Sequence, residues 1–543
     1  MKKRVFAALL AAVMVLGMAG CGNQEAEKSG EKSGAQESSQ EVKSTSSEAE
    51  QKPEEKDPVT IHYWYRNNVG EQQYTGDVEE ILNGILKEME GYEHISIELH
   101  PTKDMATEFT LAQADGSQID LVATYGLDFN TLVSNGDFIT LDDLVEKYPD
   151  AVSELPEWMV DFGKVNGEQY YIPAYQQAAA REFFIFPDEY LAMYYKETGK
   201  TEEDVRAIVK SRDVDTICDF CEEYLLAVRK ATGKDTKWID VTNLASAYRW
   251  FNAGQIISGF SSSIFEVKQS EPIYYQLTEE YKKLMQRFNE WYKKGYVHPD
   301  YATIKVNDFV KGNFLNDEAY VFAAGYRSAV TEEYAEEYYA PGTGVDLTAI
   351  WLSDEDFIIS QYAAGGNAIY TECEHPEEAM MIIELLMSKK GEEFYNTLIW
   401  GIEGTHWEWA DKDAKKIKTL EYDGTQGGST STYHAWNWNI GNTFNSWKNQ
   451  AIVDGYRETI LAMHESPDTV VSDLLGITWD MSAVATQISQ CTAVDKEYHY
   501  QALISADDFE SVYNEYMNKL KNAGVEDVKK TLLQQYNEYL AAK

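Results

Sequence analysis

Cysteine is scarce in this chain, with five among 543 residues. Cys218 and Cys221 form a CxxC pair behind Thr216, where a helix is expected to start. In an exported protein the pair reads as a redox couple, a local disulfide or two plain thiols, and the last is preferred. No second CxxC or histidine pair accompanies it, so no zinc site is expected. Cys373 and Cys491 support no connectivity argument. Basic residues are also few, 47 against 91 acidic ones, for a formal charge of −44. That balance excludes non-specific nucleic-acid binding and opposes adhesion to an anionic membrane. It is read as a solubility feature. Catalytic signatures are missing as well. There is no G-x-S-x-G, and His406-Trp407-Glu408 is not H-E-x-x-H. No glycine-rich phosphate loop follows the first strands, and no motif fixes two carboxylates across one glycosidic bond. No catalytic residue, metal or cofactor is therefore expected.

The apolar run Val5–Met18 is too short to span a bilayer as a mature helix. Behind Lys2, Lys3 and Arg4 it fits a secretory signal over residues 1–20. It ends in Met18-Ala19-Gly20-Cys21, which resembles a bacterial lipobox. That resemblance implies cleavage before Cys21 and a diacylglycerol on its sulfur, and two acyl chains hold a protein on a membrane. Residues 22–57 are Glu, Lys, Ser, Gln and Gly with almost nothing apolar, so they cannot bury enough surface to fold. The segment 21–57 then acts as a tether with a span of roughly 30–35 Å. A long tether after a lipidated cysteine suits a surface lipoprotein of a Gram-positive cell, outside the membrane. From Pro58 onward the chain is too long for one core, and two lobes are expected.

Val59–Tyr65 is rich in β-branched and aromatic residues and reads as a strand. Asp77–Glu90 carries Val78, Ile81, Leu82, Ile85, Leu86 and Met89 at helical spacing. Ile95, Ile97 and Leu99 alternate as a second strand. Asp104–Asp115 reads as a helix, and Ile119–Thr124 as a strand buried on both faces. This order implies a parallel α/β sheet, whose ligands bind beyond the carboxyl ends of the strands. Trp64–Asn67 and Thr124–Asp128 therefore fall at the mouth of a site. Asn166-Gly167 is a hairpin signal. Thr278–Lys294, Asp507–Asn522 and Glu526–Ala542 carry apolar stripes read as core.

Farther on, a helical pattern runs from Pro376 to about Leu398 and breaks at Gly401 and Gly404. Alternation then sets Trp407 and Trp409 on one face of a hairpin strand, and His406 and Glu408 on the other. The tryptophans either cover the C–H face of a sugar or pack in the core; the residues alone leave both open.

Several stretches together resemble the extracellular solute-binding proteins of ABC importers, more narrowly their carbohydrate-type lipoproteins. They are the lipobox at Cys21, "GKVNGEQYYIP" (163–173), "IDLVATYG" (119–126) and "AAGGNAIYTECEHPEEAM" (363–380). The later ones, "FYNTLIWGIEGTHWEW" (394–409), "WNWNIGNTF" (436–444) and the tail from Gly476 through "YMNKLKNAG" (516–524), are specific to that subgroup. The resemblance covers nearly all of the chain beyond the tether. It implies a two-lobed α/β type II periplasmic-binding-protein fold, each lobe a mixed, mainly parallel sheet flanked by helices, with extra C-terminal helices. Hinge crossings are expected at Tyr175–Phe184, Tyr320–Tyr326 and Ala363–Ile369. Lobe one then comprises 58–180 and 321–366, and lobe two 181–320 and 367–543.

The resemblance further implies a monomeric, non-enzymatic receptor that captures an oligosaccharide and hands it to the transmembrane subunits of an ABC permease. A peptide receptor of the same fold and a secreted glycoside hydrolase remain as alternatives. Ligand contacts are carried over position by position. They are Trp64, Tyr65 and Arg66 after the first strand, and Thr124, Tyr125 and Asp128 after the third. Tyr175 and Gln177 come from the first crossing, where related sugar binders often carry an acid. Asn243 and Trp250 come from a helix start in lobe two, and Tyr326 and Arg327 from the second crossing. Glu403, Trp407, Trp436 and Asn442 complete the set.

Overall fold

The computed structural model describes residues 56–67, 69–211, 213–241, 244, 255–257, 265–268, 271–301, 319–327, 331–336, 345–352, 357–359, 365–420, 432–433, 435–450, 452, 454–467, 469–471, 480–498 and 501–542. Lys56–Lys543 is one compact unit. The expected signal segment, Cys21 and the tether up to residue 55 lie outside the described residues. Among the described residues, no helix is long and apolar enough to cross a membrane.

Two five-stranded sheets organise the unit. The first contains β1 (Val59–Arg66), β2 (Ile95–Thr102), β3 (Leu121–Ala123), β4 (Ile172–Pro173) and β9 (Gly366–Ile369), in the order β2-β1-β3-β9-β4. β1 runs parallel to β2 and β3, whereas β9 is antiparallel to β3 and β4. The period of two in β1 explains the packing. Val59, Ile61, Tyr63 and Tyr65 point into a core shared with Val78, Leu82 and Leu86 of helix α1 (Thr75–Glu88). The alternate residues Thr60, His62, Trp64 and Arg66 face the other way and stay partly exposed.

In the second sheet, the long strand β5 (Ala179–Pro187) pairs antiparallel with β6 (Ala323–Arg327), β7 (Leu347–Trp351) and β8 (Phe357–Ile359). β10 (Thr469–Val471) extends it beside β8. One core of this half gathers Phe184, Phe186, the helix Val214–Thr232, the helix Glu279–Lys293 and the C-terminal helices Phe509–Asn522 and Val525–Ala542. Tyr281, Leu284, Met285, Phe288 and Trp291 are its buried stripe, as the spacing predicts. Cys218 and Cys221 are free thiols in the same core, and burial raises both pKa values. Removal from water disfavours the thiolate, so neither has the character of a reactive cysteine.

The strand pairing redraws the expected lobes. Residues 367–447 were expected in lobe two. Instead β9 is the fourth strand of the first sheet, and the helices α2 (Pro376–Met387) and α3 (Glu392–Trp400), with Trp407, Ile417, Tyr433 and Trp447, pack in its core. Residues 321–366 were expected in lobe one. Instead β6, β7 and β8 pair with β5 in the second sheet. Tyr320–Tyr326 is no crossing, since Val321 and Phe322 are buried in the second half's core. The chain passes from the first sheet to the second between Pro173 and Ala179, and returns between Ile359 and Gly366. It passes over again between Trp447 and Tyr456, where Tyr456 joins Phe183 and Ile185.

The single helix expected over 376–398 is two. A 3-10 turn at Lys389–Gly391 separates them. A Cβ at Gly391 would lie 2.1 Å from the carbonyl of Leu385, so only glycine allows this tight approach. The Asn166-Gly167 hairpin forms as expected, both residues at positive φ.

Candidate functional site

β1 and β3 are neighbours in the middle of the first sheet and end side by side at Arg66 and Ala123. Just past β3, Thr124 is locked to β9. Its N–H donates to the carbonyl of Gly366 at 2.9 Å, and its Oγ1 accepts from the Gly366 N–H at 3.1 Å. Tyr125 follows, turned outward and half-buried. Gly365 sits against it at φ +102°, where a Cβ would meet the Tyr125 nitrogen at 2.9 Å. Glycine is needed both for the conformation and for the approach.

The segment Trp436–Ile440 is held over the same strand ends. Tyr63 Oη donates to Asn367 Oδ1 at 2.8 Å, and Asn367 Nδ2 donates to the Ile440 carbonyl at 2.9 Å. Tyr395 Oη donates to the Asn437 carbonyl at 3.0 Å. These buried and part-buried bonds come from the core beneath, so the segment rests on a rigid base. It presents Trp436 and Trp438, stacked with centroids 5.2 Å apart and 28° between planes. Tyr125 meets Trp438 edge-on at 4.6 Å and Trp436 at 6.1 Å. The Arg66 guanidinium lies 5.3 Å from the Tyr125 centroid and 6.0 Å from that of Trp436, a cation–π arrangement. All four side chains are half-buried. Asn439, next to Trp438, is 0% exposed, and neither polar atom of its side chain has a hydrogen-bond partner among the described residues. Such a group is costly and points to a function or an unseen partner.

The cluster thus unites Arg66, Tyr125 and Trp436. The spacing Trp436-x-Trp438 was the signal for Trp438, which sequence reasoning missed. Nothing local marked Asn367 or Asn439. Trp64 is on the outer face of β1, its ring stacked 4.6 Å from His100 and its N–H donating to the Gln118 carbonyl at 3.0 Å. Asp128 is exposed and accepts from Thr131 Oγ1.

Four residues expected to face a solute are structural instead. Tyr65 is fully buried in the first core, because it shares the inward parity of Ile61 and Tyr63. Trp407 is 4% exposed, wedged edge-on against Trp409 and Trp447, and its indole N–H donates to the Gly401 carbonyl at 3.0 Å. The hairpin Trp407–Asp411 with Lys416–Thr419 therefore turns that face inward. Asn442 is 0% exposed, with Nδ2 donating to Glu154 at 2.9 Å and to the Met387 carbonyl. Thr124 is buried and serves the sheet.

Tyr175 is buried at the first crossing. Its ring stacks 5.7 Å from His464 and its carbonyl accepts from the Thr443 N–H at 2.8 Å. Gln177 is half-buried and accepts from Tyr456 Oη at 2.5 Å. His464 accepts from the Ala178 N–H at 3.2 Å, and burial lowers its pKa to about 4, leaving the neutral imidazole. Glu403 is exposed in the turn before the hairpin. Tyr326 and Arg327 lie on β6, paired with Glu182 and Arg181, and their side chains are outside the description. Asn243 and Trp250 lie outside the described residues.

The architecture is that of the type II extracellular solute-binding proteins. Along its full length the chain is 20% identical to a carbohydrate ABC transporter substrate-binding protein of Streptococcus pneumoniae serotype 4, with 99% of that protein covered. The crystal structure of the N-glycan transport solute-binding protein NgtS from Streptococcus pneumoniae is similar at 18% identity and a TM-score of 0.66, over 89% of this chain and 99% of that one. The Streptococcus pneumoniae ABC-transporter substrate-binding protein FusA, solved with kestose, is similar at 13% identity and a TM-score of 0.58, over 89% and 100%. Residues 473–541 match the family described as a domain of unknown function, DUF3502. Of that stretch, the described helices Phe509–Asn522 and Val525–Ala542 pack in the second half's core.

Proposed function

We propose that this chain is the substrate-binding protein of an ABC transporter, which captures an oligosaccharide outside the cell and delivers it to the transmembrane subunits of the permease. The observation that carries the reading is the half-exposed cluster of Tyr125, Trp436 and Trp438 with Arg66, at the carboxyl ends of β1 and β3. Flat rings cover the apolar C–H face of a sugar, and a guanidinium donates to its hydroxyls. The place is where open α/β sheets bind ligands. The full-length likeness to a carbohydrate substrate-binding protein supports the same reading. In it the chain is a receptor and performs no chemistry. It acts as a monomer at the outer face of the membrane, held by a diacylglycerol on Cys21. Solute that touches both halves closes them about the crossings near Tyr175 and Gly365.

The test is calorimetric titration with oligosaccharides of several classes, including Man5GlcNAc, kestose and alginate fragments. At least one class binds and is recovered intact after prolonged incubation. Trp436→Ala and Trp438→Ala each weaken it by roughly 1–3 kcal/mol, taking base–aromatic stacking as the analogue, or about 5- to 150-fold. Peptide binding with no sugar binding refutes the carbohydrate reading, and turnover of the sugar refutes the receptor reading.

A further inference from the structure

The outer face of the first sheet carries a cluster remote in role from the rings above. β1 and β2 pair in register with His62 opposite Glu98 and Trp64 opposite His100. Glu98 and His100 are two apart on one strand, as are His62 and Trp64 on the other, so all four side chains rise from the same face. Their donor atoms converge. His62 Nδ1 lies 3.1 Å from His100 Nε2, His100 Nε2 lies 3.4 Å from Glu98 Oε1, and His62 Nδ1 lies 3.7 Å from Glu98 Oε2. Among the described residues, these three form a group whose donor atoms all lie within 4.8 Å of one another.

We propose that His62, Glu98 and His100 form a binding site for one Zn²⁺ ion on the open face of β1 and β2. Three observations carry this. First, two imidazoles and one carboxylate are the donor set of a borderline divalent metal, whereas Ca²⁺ and Mg²⁺ favour oxygen alone. Second, Zn–N and Zn–O bonds of about 2.0–2.2 Å at tetrahedral angles place donors roughly 3.3–3.6 Å apart. The two imidazole nitrogens are 3.1 Å apart, each has one Glu98 oxygen near that range (Oε1 at 3.4 Å from His100, Oε2 at 3.7 Å from His62), and one donor atom from each residue can be taken with all three within 4.8 Å, so a small turn of the carboxylate completes the set. Third, the ligands are held from outside. The Trp64 ring lies on that of His100 at 4.6 Å and 9°, and is itself tied to the Gln118 carbonyl. The backbone N–H of His62, not its ring, donates to Asp120 Oδ2 at 2.9 Å, which fixes the strand from which that ring rises. Outer contacts of this kind orient ligands.

Without metal, the 3.1 Å N···N contact is a hydrogen bond with one proton between the rings. Zn²⁺ replaces that proton, which moves through solvent to the other nitrogen of its ring, so that both imidazoles stay neutral. The side chains of His62, His100 and Glu98 are 20%, 26% and 48% exposed, which leaves an ion a path in and a fourth position for water. An ion there ties β2, an edge strand of the sheet, to its neighbour β1.

The test is calorimetric titration of Zn²⁺ into metal-stripped full chain, with Mg²⁺ in excess to occupy loose acidic sites. One equivalent binds in a tight step, and the thermal midpoint rises with it. His62→Gln and His100→Gln each remove the step and the thermal shift, while Glu98→Gln weakens binding at least tenfold. His94→Gln, at a histidine paired with Glu378 instead, leaves the step unchanged. Cobalt at one equivalent gives the intense visible absorption of a tetrahedral site, and His100→Gln abolishes it. Far-UV circular dichroism confirms that each variant is folded. Absence of a tight step, a step that survives both His62→Gln and His100→Gln, or one that His94→Gln also removes, overturns the proposal.

Discussion

Trp407→Ala separates a packing tryptophan from a solute-contacting one. The ring is 4% exposed, with centroids 5.1 Å from Trp409 and 4.8 Å from Trp447. Removing a buried tryptophan side chain costs about 3–5 kcal/mol, because the surroundings close only part of the cavity. The buried Gly401 carbonyl also loses its donor, which adds about 1 kcal/mol. Together these come to about 4–6 kcal/mol; with the part built on the first sheet taken to melt as a unit of ordinary domain size, each kcal/mol moves the midpoint by about 2–4 °C, so the melt falls by roughly 8–24 °C. The indole N–H is taken by the Gly401 carbonyl and the ring is buried, so the folded fraction binds solute as the parent chain does. Thermal melting and calorimetric titration on the same preparation read both quantities. A melt that stays within a degree or two, with affinity down tenfold or more, would refute the packing assignment and return Trp407 to the site.

His464 provides a pH signature. Its pKa is lowered by burial from 6.5 to about 4, so at intermediate pH the unfolded chain binds a proton that the folded chain does not. Its contribution is fully present above 6.5 and is lost as pH falls toward 4. The fall from 6.5 to about 4 amounts to about 3 kcal/mol. In chemical denaturation His464→Gln flattens that part of the stability curve, and an unchanged slope would show that another group is responsible. At the other end of the chain, Cys21→Ala should release the mature protein from the membrane fraction; if it stays there and salt does not extract it, the anchor is not a lipid on Cys21.

Local pattern alone determined much of the first sheet. The parity of Val59, Ile61 and Tyr63, the spacing of Val78, Leu82 and Leu86, and the Asn166-Gly167 turn are set by neighbours in sequence, and each appears as expected. That the loops carrying Arg66 and Tyr125 meet was also legible, because strand order in a parallel sheet dictates which loops meet; Trp436 came forward only through the family resemblance and was expected in the other lobe. Burial was not. Tyr65 and Arg66 are adjacent, yet one is core and the other borders the rings, and only the inward parity of β1 separates them. Trp407 and Trp436 are both tryptophans in aromatic runs. Their roles differ because the hairpin packs on α3 and Trp447, whereas the 436–440 segment is tied to Asn367 from below and faces outward. Lobe membership and the His62–Glu98–His100 cluster were decided by pairings across long stretches of chain: β9 inserting beside β3, and β2 beside β1. Such pairings are set by which apolar faces can be buried together, a property of the assembled sheets that no single stretch of sequence contains.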